Sequence, residues 1–107
     1  MIPGIATKIT AMEAEGVANG FLLDHLPDRF LAIEPRFDPR ARVWRLPVVI
    51  SYPSIGQIGE VGEVSGSVST EDVVSHTPLD EMMSRARVLY DQNREAIQAA
   101  FSQARNS

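Results

Sequence analysis

The apolar positions follow two rhythms. Ala14, Val17, Ala18, Phe21, Leu22 and His25 recur at steps of three and four, which marks one buried face of an α-helix. Thr10 and Glu13 form the T-x-x-E pattern, in which hydroxyl and carboxylate satisfy each other's backbone amides, so a helix is predicted over 10–26. Pro27 ends it, because a residue before proline avoids helical angles. Gly16 and Gly20 each weaken this helix by about 1 kcal/mol relative to alanine. Four positions apart, they make a shallow face on which another element would pack closely.

The period then shortens to two. "FLAIE", 30–34, reads as a short strand stopped by Pro35, and "PRFDPRAR" as a polar connector with a turn at Asp38-Pro39. The clearest strand is 43–52, where Trp44, Leu46, Val48, Ile50 and Tyr52 share one face. Pro47 has no amide to donate, which predicts an edge strand or a bulge at that position. Residues 60–68 and 72–75 read as a hairpin around "STED", with β-branched Val61, Val64, Val68, Val73 and Val74 suited to strands.

The helical period returns over 77–104. Thr77 stands at the expected N-cap and Pro78 at the first helical position, followed by Asp80 and Glu81, which favour the positive end of the helix dipole. Leu79, Met82, Met83, Ala86, Leu89, Tyr90, Ile97, Ala100 and Phe101 make one stripe. An unbroken helix of that length would measure about 40 Å. That is longer than the roughly 30 Å breadth of a globule this size, so the turns around Ile97 and Phe101 would overhang.

Composition narrows the chemistry. The 107 residues carry a net charge of −4, 44% hydrophobic residues and no cysteine. One domain over 1–107, with 1–9 as an N-terminal tail, fits that length. The negative balance argues against phosphate-rich nucleic acids and anionic membranes. The lack of cysteine removes disulfides, thiolate metal sites and a cysteine nucleophile, and fits a reducing cytoplasm. The N-terminus does not read as a signal peptide, and no run reaches the eighteen or so apolar residues of a membrane span.

"SIGQIGEVGEVSGSV", Ser54 to Val68, raises the question of a phosphate-cradling loop. Such a loop needs a helix to follow and usually a lysine. Here a strand-like run follows, Glu60 and Glu63 would repel phosphate, and no lysine comes after Lys8. A twisted hairpin arm with glycine bends is the reading. Glu60 and Glu63, three apart, are expected on opposite faces of a strand, so they assemble no acid–base pair. His25 and His76 are read as a helix-end and a pre-helix residue. No nucleophile in an activating context and no set of three or four convergent metal ligands accompanies them. No catalytic residue, cofactor or metal is therefore assigned.

Charge is distributed unevenly. Arg29, Arg36, Arg40, Arg42 and Arg45 crowd into seventeen positions, whereas Glu60, Glu63, Glu71, Asp72, Asp80 and Glu81 have no intervening cation. The two groups are expected either to pair across neighbouring strands or to dock a charged partner or second copy.

"KITAMEAEGVANGFL", then "RVWRLPVVISY", then "SGSVSTEDVVS" resembles the general plan of PepSY-type domains over residues 8–76. Glu71-Asp72 stand where that plan has Thr-Gly. The resemblance implies a small, non-catalytic binding or inhibitory module, in a family that is usually extracytoplasmic. No functional residue is carried over from it.

The expected fold is α+β: an N-terminal helix, a three- to four-stranded antiparallel sheet, and a long C-terminal helix packed on one face. The expected function is protein interaction, chiefly self-association, with Arg40, Arg42, Arg45, Leu89, Tyr90, Ile97 and Phe101 as partner-binding candidates. One alternative is an antitoxin-like regulator that binds an enzyme through the C-terminal helix. Another is a minor hydrolase or anionic-ligand binder, using a pocket between the glycine-rich arm and the arginines, with Arg42 or Arg45 gripping the anion.

Overall fold

The computed structural model describes residues 8–106, and the side chains of residues 8–102. The first helix, α1 (Ala11–His25), begins at the capping box its sequence encodes. Glu13 N donates to Thr10 Oγ1 at 3.1 Å, and Thr10 N to Glu13 Oε1 at 2.9 Å. The hydrogen bonds from Thr10, its backbone amide first, hold the Glu13 carboxyl below the usual carboxylate range. Ala14, Ala18 and Leu22 form the buried stripe of α1, and Leu26 closes it.

Five strands follow: β1 (Phe30–Ala32), β2 (Arg36–Asp38), β3 (Val43–Tyr52), β4 (Gly56–Ser67) and β5 (Val73–His76). All pairings are antiparallel. The order is β1-β3-β4-β5, with β2 also pairing β3, so β1 and β2 share one side of β3 end to end. The fold is thus the expected α+β arrangement, with one short strand more than the sequence suggested. The stretch read as a polar connector supplies it, because Arg36, Phe37 and Asp38 pair with Arg45, Trp44 and Val43.

Pro47 is not at an edge, as β3 lies between β1/β2 and β4. Pro47 O accepts from Ile33 N at 3.1 Å, where the β1 ladder ends. In a strand a residue's N and O point to the same side. The missing amide therefore faces the gap between β1 and β2, and Pro47 still pairs with Glu63 in register. The register shift nearest to it lies one position on, between Val48 and Val49.

That shift gives the glycine-rich stretch its structural meaning. Val48 pairs with Gly62 and Ile50 with Gly59, so Val61 is an extra residue on β4. Three positions apart, the two glycines would face opposite ways on a regular strand. The bulge brings both to the face that carries Val48 and Ile50.

On that face lies α2 (Leu79–Gln92). A Cβ on Gly62 would meet Met82 Cγ and Thr77 Cβ at 2.8 Å, and one on Gly59 would meet the Leu89 methyls at 2.8 Å. Met82 and Leu89 are two helical turns apart, so α2 lies along a strip of bare backbone. The core unites Ala18, Leu22 and Leu26 with Phe30, Ala32, Leu46, Val48, Ile50, Val61, Val64 and Met82. Helices cover this face of the sheet.

Two expectations fail at the C-terminal end. Thr77 is not the N-cap: its hydroxyl accepts from Glu63 N and its amide donates to Glu63 O, both at 2.9 Å, extending the β4–β5 pairing. The single helix is also interrupted at Asn93. Asn93 Nδ2 donates to Leu89 O at 2.8 Å and its amide to Leu89 O and Tyr90 O, which closes α2. A new helix, α3 (Arg94–Asn106), starts on Asn93 O. The molecule measures 57 × 29 × 20 Å.

Trp44 is half-buried under the N-terminal segment, its Nε1 donating to Ile9 O at 2.9 Å. Lys8 and Ile9 both donate from their amides to Val68 O.

Candidate functional site

Two surfaces carry the residues singled out above. The first is the helix-free face of the sheet. Arg36 and Asp38 on β2, Arg45, Pro47 and Val49 on β3, and Glu60 and Glu63 on β4 all belong to it by register. Glu60 and Glu63 therefore share one face, contrary to the strand-period expectation, because the Val61 bulge lies between them. All of these but Val49 border a depression of about 380 Å³.

Its geometry centres on Arg45. Nε donates to Asp38 Oδ2 at 2.8 Å, and Nη1 to Glu63 Oε1 at 3.1 Å and Ser65 Oγ at 3.4 Å. Asp38 Oδ1 accepts from the amides of Arg40 and Ala41, which shapes the β2–β3 turn. The Arg45 hydrogen bond first, and the Ala41 amide second, hold the Asp38 carboxyl below its ordinary value; Asp38 and then Glu63 raise the Arg45 pKa.

A depressed folded-state pKa means that Asp38 contributes stability above the unfolded aspartate value near 4, lost as pH falls through the lower folded value. Asp38→Asn should accordingly flatten the acid limb of a stability–pH curve, with unfolding at each pH followed by circular dichroism. An acid limb as steep as that of the parent protein would contradict this assignment.

The depression lies where the anionic-ligand alternative placed its pocket, between the glycine-rich arm and the arginines. The charge of its lining differs from that expectation. Two guanidiniums, Arg36 and Arg45, face three carboxylates, Asp38, Glu60 and Glu63, and Arg45 is occupied by two of them. Arg40 and Arg42 lie outside this lining, exposed in the β2–β3 turn, Arg42 with φ 55°. The anion grip proposed for Arg42 or Arg45 has no support in this geometry.

The two histidines sit against one ring. His25 stacks on Phe21 at 4.4 Å and His76 approaches the same ring at 4.7 Å, measured between centroids. Each Nδ1 faces a backbone carbonyl at 2.8 Å, Phe21 O for His25 and Thr77 O for His76, so each Nδ1 carries the proton. Among the described residues no group of three His, Asp or Glu side chains could hold a metal ion.

The second surface is the C-terminal helical pair. Leu89 lies over Gly59, and Tyr90 is half-buried with its ring 6.3 Å from Tyr52. Ile97 is 1% exposed, and Phe101 is 46% exposed. Of the four predicted anchors, Leu89 and Ile97 are thus committed within the fold. Phe101 remains open to solvent but is not isolated: the Arg29 guanidinium lies between its ring, at 5.9 Å, and that of Tyr52, at 5.2 Å.

Sequence reading missed the outward side of α1. Met12 and Leu23 are 83% and 64% exposed. They share a strip with Gly16 and Gly20, where an added Cβ would meet nothing within 4 Å. The close packing expected on these glycines is therefore not made by the described residues. The signal was present, since two large apolar residues fall outside the stripe that faces the core.

No family model, curated protein or solved structure matches this chain. Among the described residues no helix is long and apolar enough to cross a membrane.

Proposed function

We propose that this protein is a small, non-catalytic interaction module of the cytoplasm that pairs with a second copy of itself through the outward face of α1. One observation carries the reading: an apolar strip that no other described residue covers, large at both ends (Met12, Leu23) and bare in the middle (Gly16, Gly20). A two-fold axis requires a surface that complements itself. With the helices antiparallel, each Met12 end meets the partner's Leu23 end, the bare middles let the backbones approach, and the helix dipoles oppose.

Glu13 and Asp24 flank the strip on one side, so pairing brings like charges near each other. Salt screens them, with a Debye length of about 10 Å at 0.1 M. Sedimentation velocity should show weak, micromolar-range dimers that strengthen as salt is raised. Met12→Glu should abolish them without unfolding the chain. Gly16→Ala should raise monomer stability by up to about 1 kcal/mol while weakening pairing. A strict monomer at high concentration, or Met12→Glu dimers as tight as those of the parent protein, would refute the proposal.

A further inference from the structure

The seam where α1, β3 and α2 meet holds a different kind of site. Between the exit of α1, the end of β3 and the outer turns of α2 lies a cavity of about 240 Å³. Its walls are mainly apolar, with Phe30 and Ile50 behind and the half-buried rings of Tyr52 and Tyr90 beside them. Among the described residues its charged lining is Arg29 and Arg87, and no acid lines it.

That composition is unexpected in a chain of net charge −4. Every ion pair among the described residues uses Arg36, Arg45, Arg85 or Arg94, so Arg29 and Arg87 pair with none of the described acids. Arg29 is nonetheless held in place, its guanidinium between the rings of Tyr52 and Phe101. Stacking engages the faces of a guanidinium and leaves the N–H groups around its rim free, in the fork geometry that grips a carboxylate. Ligand sites are typically apolar, concave and marked by a few convergent polar groups, and drug-sized ligands need about 300 Å³ or more. This cavity suits something smaller.

We propose that the seam binds a small organic carboxylate with a single aromatic or branched apolar body. The ring enters against Phe30 and Ile50 beside the paired tyrosines, and the carboxylate meets Arg29 and Arg87. The inference is independent of self-pairing through α1, whose strip lies on the opposite side of that helix from the core.

Calorimetric titration with phenylacetate, phenylacetamide and phenethylamine tests it, because the three share a ring and differ in charge. Phenylacetate should bind, with the neutral amide at least tenfold weaker and the amine not detectable. Arg87→Gln, a change at an exposed position, should weaken phenylacetate at least tenfold while the melting temperature stays that of the parent protein. Arg29→Lys, which keeps the charge but loses the fork, should weaken it too. Met12→Glu should leave binding intact, which separates failure of this site from failure of the dimer. Phenylacetate binding no tighter than the amide, an unaltered affinity in Arg87→Gln, or inorganic phosphate competing equally well would each overturn the proposal.

Discussion

Gly62→Val should destabilise this protein by about 3 kcal/mol, at the upper end of the usual range for overpacked cores. With a net stability of roughly 5–15 kcal/mol for a domain, that is a large share, and a melting temperature lower by roughly 15 °C. The cost follows from what surrounds Gly62. A Cβ there would stand 2.8 Å from Thr77 Cβ as well as from Met82 Cγ. A methionine can swing aside, but Thr77 cannot. Two hydrogen bonds to the backbone of Glu63, one through its amide and one through its hydroxyl, fix it to the residue beside Gly62. Gly66→Ala is the control, since its nearest neighbour would be Asp72 O at an ordinary 3.8 Å. Urea unfolding of both variants measures the difference. A Gly62→Val variant within about 1 kcal/mol of the parent protein would mean that α2 does not rest on bare strand backbone.

Met82→Ala should cost about 2–5 kcal/mol, the range for truncating a fully buried methionine. Met82 is 0% exposed and is the residue of α2 that enters the core cluster. Its truncation opens a cavity directly over Gly62, into which a methyl from Gly62→Ala could project. The double variant should therefore lose less than the sum of the two single losses, by about 0.5–3 kcal/mol of coupling. Strict additivity in urea unfolding would show that the two residues do not touch.

The features read correctly from sequence are those decided within a few residues. The start of α1 depends on Thr10 and Glu13 alone, and β3 on its own alternation. The errors arise where distant residues decide. Thr77 has the chemistry of an N-cap, yet its hydroxyl is engaged by Glu63 N across the hairpin. Asn93 interrupts the helix while the apolar stripe runs on through Leu89, Ile97 and Phe101, so periodicity alone hides the break. The available hint was an asparagine, whose side chain competes for backbone carbonyls. Glu60 and Glu63 were placed on opposite faces because the Val61 bulge is a property of pairing with β3. The Arg29–Arg87 seam was not legible at all, because its residues come from three segments far apart in the chain.

The order of the strands also bears on how fast the chain can fold. Each of β2, β3, β4 and β5 pairs with its sequence neighbour, so the sheet can grow by short loop closures, the kind associated with rapid kinetics. The docking of α1, the bonds from Lys8 and Ile9 to Val68 O, and the contact of Arg29 with Phe101 reach across this meander from one flank to the other. Those closures carry the largest loop entropy, so the sheet is expected to form before its two helical ends dock on it.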